Sequence, residues 1–526
     1  MGVTPIPLPP PYGGVNELVP VVALESPDAE NLLNFNTTRA GVVLRYGDSK
    51  YATRAISAGS TTNNGLAAYG DTKLFALITN ISTTKIDFWD VDAGSIAHST
   101  AAYAGTGVFS SSTYFNKYLF CFSNDANLTP GIYYNGSAFG TIGYTGSGFT
   151  PVGGGNAYRN RHYIIQSGEA AFWYSNIEAI SGALTKVDLS SIASDKCTLV
   201  NISTVTLTDN IGSTDLLQTF IFSNGEILFY TGSYPNSPDW RIVGRAKIAQ
   251  PISYYDSAFQ YQGDTLVMCD TGLVSLRDLF LKGSQNASLL SVSAKIEKTW
   301  QRLIKLQRAA VPVLTGPVDA SIKGIWDEGS KRIIISFPFY ELNGAIAAGN
   351  YFFVFNAELQ TWDFHQSTGF FGLPTGDIVK YKNKVVFTVP PSGATTAIVY
   401  EKEGATNFTD RNYLDASDIP YTFEVKSAPI TNGRAFVQSC EGLEPFIESD
   451  LYAETEYRLI ADLGASTSSA QKVLSRTSTL DKTFVNLGIE GSYIQYKISG
   501  TTTSGKTIGL KLYGINFHQQ SGSNTR

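Results

Sequence analysis

The chain has 526 residues, a formal net charge of −6 and only 16% charged residues, which excludes a strongly basic surface that clamps nucleic acid by displacing its counterions. Hydrophobic residues make up 43%, enough to bury a sizeable core. Gly, Tyr and Phe are abundant (49, 29 and 30 residues) while His and Met are scarce (4 and 2), a balance that favours sheets and tight turns over exposed helices.

Residues 1–50 are predicted to form an extended N-terminal strap. Proline dominates from Pro5 to Pro11, which favours polyproline-like chain, and Gly13 and Gly14 mark a turn. Ser26 followed by Pro27 resembles a helix start, so we expect a short helix after it. The strap has neither the basic nor the apolar stretch of a signal peptide, and the sequence has no apolar run of about 18 residues, so we expect no membrane-spanning segment.

Residues 51–410 read as one strand after another and are predicted to form a β-propeller. A recurring unit begins with Lys, Arg, Thr or Gly-Asp and continues as an apolar strand. Its starts are Lys73, Lys117, Arg161, Thr219, Gly263, Lys331 and Lys384. Three of the intervals are 44 residues and the others are longer. A period of about 40–50 residues made of short strands is typical of propeller blades. We therefore expect six to seven blades with insertions, and the recurring strand as the inner strand of each blade.

One insertion, near residues 292–308, carries the strongest helix signal in the chain. Apolar side chains and one Gln recur at helical spacing on one side, namely Ile296, Trp300, Leu303 and Gln307. Basic side chains share another side, namely Lys295, Lys298, Arg302 and Lys305. Repeated around a ring, this basic stripe would give a belt of positive charge for possible contact with DNA in a channel. A solvated helix face and a docking face for a neighbouring subunit are the alternatives.

Residues 418–526 are predicted to form a C-terminal β-sandwich, so the expected fold class is all-β throughout. Tyr493 to Ile498 and Ile508 to Leu512 alternate as strands with one wet face do. Gly500 to Thr507 matches the phosphate-loop pattern GxxxxGK[ST]. That loop requires a helix behind it to hold the phosphates, whereas the residues after Thr507 alternate as a strand. We therefore interpret the segment as a hairpin loop.

The histidines and cysteines form no recognisable centre. The histidines are His98, His162, His365 and His518, and no two have the spacing of paired metal ligands. The cysteines are Cys121, Cys197, Cys269 and Cys440, and they lie too far apart in sequence for a metal knuckle or a redox pair. We expect the cysteines to be small buried residues in a reducing cytoplasm, and we expect neither a metal nor a cofactor.

Tryptophan stands next to aspartate four times. The pairs are Trp89-Asp90, Trp326-Asp327, Trp362-Asp363 and the reversed Asp239-Trp240. A propeller glycosidase would need a pair of carboxylates at one place, and a sugar-binding cleft would also use Trp with Asp. Because the pairs recur through the repeat, we interpret each Trp as filling a gap between blades and each Asp as capping a turn. We expect no enzyme activity.

Three stretches together resemble a family of structural proteins of short-tailed, podovirus-like bacteriophages. In the strap, a proline run leads to Gly13-Gly14-Val15-Asn16, then to Ser26-Pro27-Asp28-Ala29, and then to a strand that ends in Arg45-Tyr46-Gly47. In the middle, Ser293-Ala294-Lys295-Ile296 is similar to the start of a family helix. Near the end, Tyr513-Gly514-Ile515 is similar to a closing family segment.

The resemblance implies a propeller-based tail nozzle, or head-to-tail connector, in the virion tail, assembled in the host cytoplasm. Such a subunit forms a ring, usually a homohexamer, beneath the portal and the tail adaptor protein. It passes double-stranded DNA, retains the genome until ejection, and binds tail fibre or spike proteins. Two alternatives stay open: a propeller-type polysaccharide hydrolase or lyase, and a lectin-like receptor-binding tail protein.

Overall fold

The computed structural model describes most of the chain, and the described residues are mainly strands with few helices, which confirms the all-β class. The described ranges are 3–55, 60–80, 85–102, 112–123, 128–194, 197–208, 214–252, 256–283, 291–310, 322–342, 345–367, 377–389, 396–406, 408–411, 418–430, 438–451, 454–472, 481–482, 484–506 and 508–520.

The strap consists of short strands and has no helix after Ser26. Its elements are β1 (Val3–Leu8), a 3-10 turn (Val21–Ala23), β2 (Ala29–Leu33), β3 (Phe35–Thr38), β4 (Gly41–Leu44) and β5 (Ser49–Ala55). The expected short helix is wrong because β2 pairs with a strand on each side, opposite Ser427 and Phe364. Tertiary pairing here outweighs a local helix signal that amounts to little more than one capping residue.

Small antiparallel sheets of consecutive strands follow the strap. The first comprises β6 (Ser60–Tyr69), β7 (Lys73–Asn80), β8 (Lys85–Asp90) and β9 (Ser95–Ser99). The second comprises β10 (Ser112–Phe115), β11 (Tyr118–Phe122), β12 (Gly131–Tyr134) and β13 (Phe139–Thr141). A parallel pair, β14 (Gly143–Thr145) and β18 (Ser181–Ala183), flanks the third, which comprises β15 (Pro151–Tyr158), β16 (Arg161–Gln166), β17 (Ala171–Tyr174) and β19 (Thr185–Asp188).

Four further sheets continue the series. The fourth comprises β20 (Leu199–Thr208), β21 (Thr214–Phe222), β22 (Glu226–Thr231) and β23 (Arg241–Lys247). The fifth comprises β24 (Ala258–Tyr261), β25 (Asp264–Cys269) and β26 (Gly272–Ser275), and two helices follow it, α1 (Leu276–Lys282) and α2 (Glu297–Ala310). The sixth comprises β27 (Lys323–Asp327), β28 (Arg332–Leu342), β29 (Ala345–Asn356) and β30 (Thr361–Ser367). The seventh comprises β31 (Asp377–Tyr381), β32 (Lys384–Thr388) and β33 (Thr396–Glu401), with β5 of the strap as its last strand.

The first strand of each sheet lies against the first strand of the next sheet. The strands in contact are β6 with β10, β10 with β15, β15 with β20, β20 with β24, β24 with β27 and β27 with β31. Finally, β31 lies against β6. Apolar side chains fill the spaces between sheets; Trp89 of the first sheet, for example, packs with Tyr381 and Val386 of the seventh. The described part of the chain is therefore an all-β, propeller-like arrangement.

The recurring apolar strand is the second strand of its sheet, and its expected inner position is wrong. Lys73 begins β7 and Arg161 begins β16, and in both sheets another strand precedes them and makes the contact with neighbouring sheets. The preceding strands are poorer in large apolar residues, as in Pro151–Tyr158, which contains three consecutive glycines. A pattern search based on hydrophobicity therefore finds the second strand first.

The helix predicted in the insertion is present. A 3-10 turn at Ala294–Ile296 leads directly into α2. Ile296, Trp300 and Leu303 are buried, as the spacing predicts, and α2 packs against β26 and β28. The side chain of Gln307 lies outside the described residues.

The C-terminal strands form two sheets that include strap strands, and a separate pair, β34 with β35. They are β34 (Thr409–Arg411), β35 (Asp418–Pro420), β36 (Thr422–Ser427), β37 (Gln438–Ser449), β38 (Thr455–Ala461), β39 (Ser466–Thr467), β40 (Gln471–Lys472), β41 (Asp481–Lys482), β42 (Val485–Gly491), β43 (Ile494–Thr501) and β44 (Leu510–Gln520). In one sheet β44 pairs with β1, β4 and β37. The other runs from β30 of the sixth sheet through β2 to β36, β43 and β38. The strap thus joins the C-terminal strands to the propeller-like body.

Candidate functional site

The strap turn at Gly14 fixes the strap against the sixth sheet. The amide of Val15 donates to the carbonyl oxygen of Trp362 at 3.0 Å. Gly14 has a φ of +74°, and a Cβ there would lie 2.9 Å from the backbone of Trp362, so no side chain fits. Asn16 donates to the carboxylate of Asp28 at 2.6 Å, which closes the loop that follows.

Lys295, the first member of the basic stripe, is engaged by the strap. Its ammonium group lies 3.3 Å from the Asp28 carboxylate and donates to the carbonyl oxygen of Gly13 at 3.2 Å. Its carbonyl accepts from the amide of Glu17, whose carboxylate in turn accepts from the amide and hydroxyl of Thr299. Glu17 therefore caps the start of α2, where a negative charge also suits the helix dipole.

The other three members of the basic stripe lie together on α2. Lys298, Arg302 and Lys305 are exposed, and their spacing of four and three residues places them on one side of the helix. Arg308, one turn further on, is held by an ion pair of 2.6 Å with Asp270. The structure thus groups three of the four predicted residues on an exposed face that suits an anionic partner.

Arg45 is the centre of a buried charged network, here called the strap joint. Its guanidinium is fully buried and forms a two-pronged contact with Asp410, at 3.1 and 3.0 Å. It also donates to the side-chain oxygen of Asn34 and to the carbonyl oxygens of Tyr46 and Gln366, each at 2.8 Å. All five N–H groups therefore have partners, which is what a buried guanidinium requires.

A second ion pair completes the strap joint. The carboxylate of Asp48 lies 3.1 Å from the Lys402 ammonium and 3.7 Å from the Arg45 guanidinium. Burial alone would raise the pKa of Asp48, but the two cations, together with hydrogen bonds from the Ser367 hydroxyl and the Glu403 amide, outweigh burial and lower it. With Asp410, two positive and two negative charges neutralise one another in the interior, the condition under which buried charges are tolerated.

Gly47 allows the strap to approach the C-terminal connection. A Cβ at this position would lie 1.8 Å from the carbonyl oxygen of Thr409, far inside contact distance, so only glycine fits. The neighbouring Asp48 amide donates to Asp410 at 2.9 Å. The Arg45-Tyr46-Gly47 stretch therefore connects strap, last sheet and C-terminal strands.

Sequence reasoning did not identify the strap joint. Arg45 and Asp410 are separated by 365 residues, and no spacing rule relates them. One signal was available: Arg45 directly follows the apolar strand β4, and Lys402 directly follows the apolar strand β33. Charged residues at the ends of buried strands are found where a partner exists.

Two of the four histidines and all four cysteines are buried, whereas His98 and His518 are only partly buried. His162 and His365 are fully buried, and burial lowers the pKa of His162 to about 3. All four cysteines are buried, as expected, no two of them form a disulfide bond, and burial raises the pKa of Cys121 to about 12. Among the described residues no group of three or more His, Cys, Asp or Glu side chains is arranged to hold a metal ion.

Three of the four aspartates beside tryptophans cap turns, which confirms that interpretation for them. Asp90 accepts from the amide of Ala93 at 3.0 Å, Asp327 from the amides of the Gly329 turn, and Asp239 from two serine hydroxyls. For Asp363 the interpretation is wrong. It is fully buried and accepts from the amide and hydroxyl of Thr37, at 2.9 and 3.0 Å, because strap strand β3 covers it.

The segment that matches the phosphate-loop pattern is a connection between strands. It joins β43 to β44, and the Lys506 ammonium donates to the carbonyl oxygen of Asp450 and lies 3.9 Å from the Glu454 carboxylate. The element that follows is a strand and not a helix, as expected, but β43 and β44 lie in different sheets and do not pair, so the interpretation as a hairpin loop is wrong. Within the ranges described above, no helix has the length and apolar character to cross a membrane.

No family model and no curated protein matches the chain. Among solved structures, the chain is similar to Raptor from Chaetomium thermophilum, with a TM-score of 0.38 and 10% identity over 68% of this chain and 29% of that one. It is also similar to the β-propeller domain of Cps50 (Swd1) from Myceliophteria thermophila, with a TM-score of 0.33 and 9% identity over 67% and 99% of the two chains.

YCF48 from Cyanidioschyzon merolae gives a TM-score of 0.34 and 10% identity over 67% of this chain and 98% of that one. The chain thus spans less than a third of Raptor and nearly the whole of the other two. At these TM-scores and identities the likenesses do not indicate a function.

Proposed function

We propose that this chain is a structural subunit of the ring-shaped tail nozzle of a short-tailed bacteriophage. The observation that supports the proposal best is that the three stretches of the family resemblance meet through the strap. The strap turn contacts Lys295 of the middle stretch, and β1 pairs with the closing stretch, where Leu8 stands opposite Ile515. Residues far apart in sequence thus act together in one mechanical unit.

In this proposal the seven sheets are blades of a closed propeller, and the C-terminal sheets form a sandwich beside it. The return contact between β31 and β6 supports closure, and β5 completes the last blade from the other end of the chain. Apolar residues of both C-terminal sheets share one core, for example Leu443 and Val425. A stiff body of this kind suits a part that carries load during assembly and ejection.

The exposed face of α2 is the proposed contact with DNA. Lys298, Arg302 and Lys305 supply positive charge on a chain that is negative overall. Several copies in a ring, a homohexamer by resemblance, would repeat this face and let the duplex slide past without tight binding. Partners above and below would be the tail adaptor protein and the tail fibres or spikes.

Native mass spectrometry and electron microscopy of the purified full chain test the proposal. We expect ring-shaped oligomers, formed by the chain alone or after addition of extract from phage-infected cells, with a C-terminal label at one level of the ring. Antibody against the chain should decorate the tail of the virion. A chain that stays monomeric in both preparations and labels no virion contradicts the nozzle.

The hydrolase or lyase alternative makes a different prediction. It requires turnover of a polysaccharide that is lost on changing single carboxylates such as Asp90 or Asp327. A matched change of Asp239 to Asn reports on turn stability, because its carboxylate accepts from the hydroxyls of Ser233 and Ser237 within its own turn.

A further inference from the structure

A cleft of about 280 Å³ opens between the hairpin tips of the second and third sheets, here called the rim cleft; the lining used below is Tyr114, Asn116, Arg159, Asn160 and Glu178. Asn116 lies in the two-residue turn between β10 and β11, and Arg159 and Asn160 form the turn between β15 and β16. All three residues have positive φ, between 45° and 57°, as turns of the tightest hairpin type require. Two walls of the cleft are therefore tight two-residue turns.

Glu178 forms the third wall of the rim cleft, and hydrogen bonds attach its backbone to both turns. The side-chain amide of Asn116 donates to the carbonyl oxygen of Glu178 at 2.8 Å, and the amide of Glu178 donates to the carbonyl oxygen of Asn160 at 2.6 Å. The rim cleft is thus formed before any ligand arrives, which lowers the entropic cost of binding.

The side chains of the rim cleft combine an aromatic face with polar groups. Tyr114 is 51% exposed, and an edge-on contact with Tyr69, with ring centroids 5.5 Å apart, holds its ring. Arg159 and Glu178 are exposed and form no ion pair with each other or with any other described residue. Their donors and acceptors stay available at the cleft, together with those of Asn160.

We propose that the rim cleft binds a single neutral sugar residue, such as the terminal hexose of a glycan. The exposed tyrosine ring offers a face on which a pyranose can stack, while guanidinium, amide and carboxylate groups match its hydroxyls. One cation and one anion at the same place leave no net charge, which disfavours phosphates and acidic sugars. The volume lies at the small end for ligand sites and suits one ring. This site does not depend on the nozzle function.

Saturation-transfer NMR on the full chain tests this inference, with glucose, galactose, mannose and N-acetylglucosamine as neutral probes and galacturonate as an acidic one. We expect transfer to the ring protons of at least one neutral probe and a weaker effect with galacturonate. The Tyr114→Ala variant should bind that probe about tenfold more weakly, the loss of one aromatic contact, and Tyr114→Phe should bind as the unchanged chain does. Arg159→Met should also weaken binding.

Tyr12→Ala is the matched control, since Tyr12 is an exposed tyrosine of the strap, 38% accessible, outside the rim cleft. It should leave sugar binding unchanged, and thermal unfolding should show that all variants fold. The inference is overturned if no neutral probe receives saturation, if galacturonate binds more tightly than every neutral probe, or if Tyr114→Ala and Arg159→Met both bind like the unchanged chain.

Discussion

The hydroxyl of Tyr421 donates to the carbonyl oxygen of Arg45, while the Arg45 guanidinium lies 4.2 Å from the centre of the Tyr421 ring. One residue between β35 and β36 thus holds both the backbone and the side chain of one strap residue. The pair combines a hydrogen bond with a cation–π contact in a desolvated place, where both are strongest. It marks the strap joint as the connection on which the relative position of strap and C-terminal sheets depends.

Replacing Arg45 should destabilise the protein more than any exposed change. Arg45→Met leaves Asp410 without its two-pronged partner, and breaking such a buried pair costs about 3–5 kcal/mol. Arg45→Lys should also lose stability, because an ammonium cannot make the forked contact. Denaturant unfolding followed by tryptophan fluorescence measures both. Arg39→Met, at a side chain that is 81% exposed, serves as control, and equal losses at Arg39 and Arg45 would refute the assignment.

Lys323 should be needed for the contact between the fifth, sixth and seventh sheets. Its ammonium lies 3.1 Å from Asp256 and 2.9 Å from Asp377, and Asp377 also accepts from the amide of Leu66 in the first sheet. Lys323→Met should therefore cost about 3 kcal/mol, since two mostly buried carboxylates lose their counter-charge. The unfolding midpoint reports the loss. Lys186→Met, which removes an exposed ion pair, should have little effect.

Stability should depend on pH through Asp363. Burial raises the pKa of Asp363 from its ordinary value of 3.8 to about 7. Between these two pH values the folded state keeps a proton that the unfolded state has lost. The contribution of Asp363 to the free energy of unfolding is therefore largest at low pH and falls as the pH rises towards 7. Asp363→Asn lacks this titration. Relative to the unchanged chain, the free energy of unfolding of this variant should rise by roughly 2–3 kcal/mol between about pH 5 and pH 8.

The difference between the two chains is the quantity to measure, because His365 acts in the opposite direction. Burial lowers the pKa of His365 well below its ordinary value, so its contribution is lost as pH falls below about 6.5. A constant difference between Asp363→Asn and the unchanged chain across this range would show that Asp363 stays ionised in the fold.

The α2 face should govern any affinity of the oligomer for DNA. Changing Lys298, Arg302 and Lys305 together to Ala should weaken binding of a short duplex and reduce its salt dependence. The slope of log affinity against log salt should fall by about 0.9 for each lost phosphate contact. Fluorescence anisotropy at several salt concentrations measures this. A control triple of ion-paired lysines, Lys186, Lys282 and Lys384, should leave the slope nearly unchanged.

The sequence predicts those parts of the fold that depend on local pattern. The buried side of α2 follows from helical spacing, and the strand after Gly500 to Thr507 follows from alternation. The helix expected after Ser26 fails because strands from two distant parts of the chain pair with β2. For the same reason the sequence does not predict the strap joint or the contact of Lys295 with the strap, since the partners are far apart in sequence and meet only in the folded state.

The pairing of β5 with β33 has a consequence for biosynthesis. Ala55 stands opposite Thr396, so an emerging polypeptide must wait for more than three hundred further residues before that early strand acquires its neighbour. At about 5–20 residues per second the ribosome needs on the order of tens of seconds for this. During this time the unpaired edge of β5 is available to other nascent chains. Slow translation or crowded expression should therefore favour aggregates, and fragments released before Thr396 lack the neighbour that this strand requires.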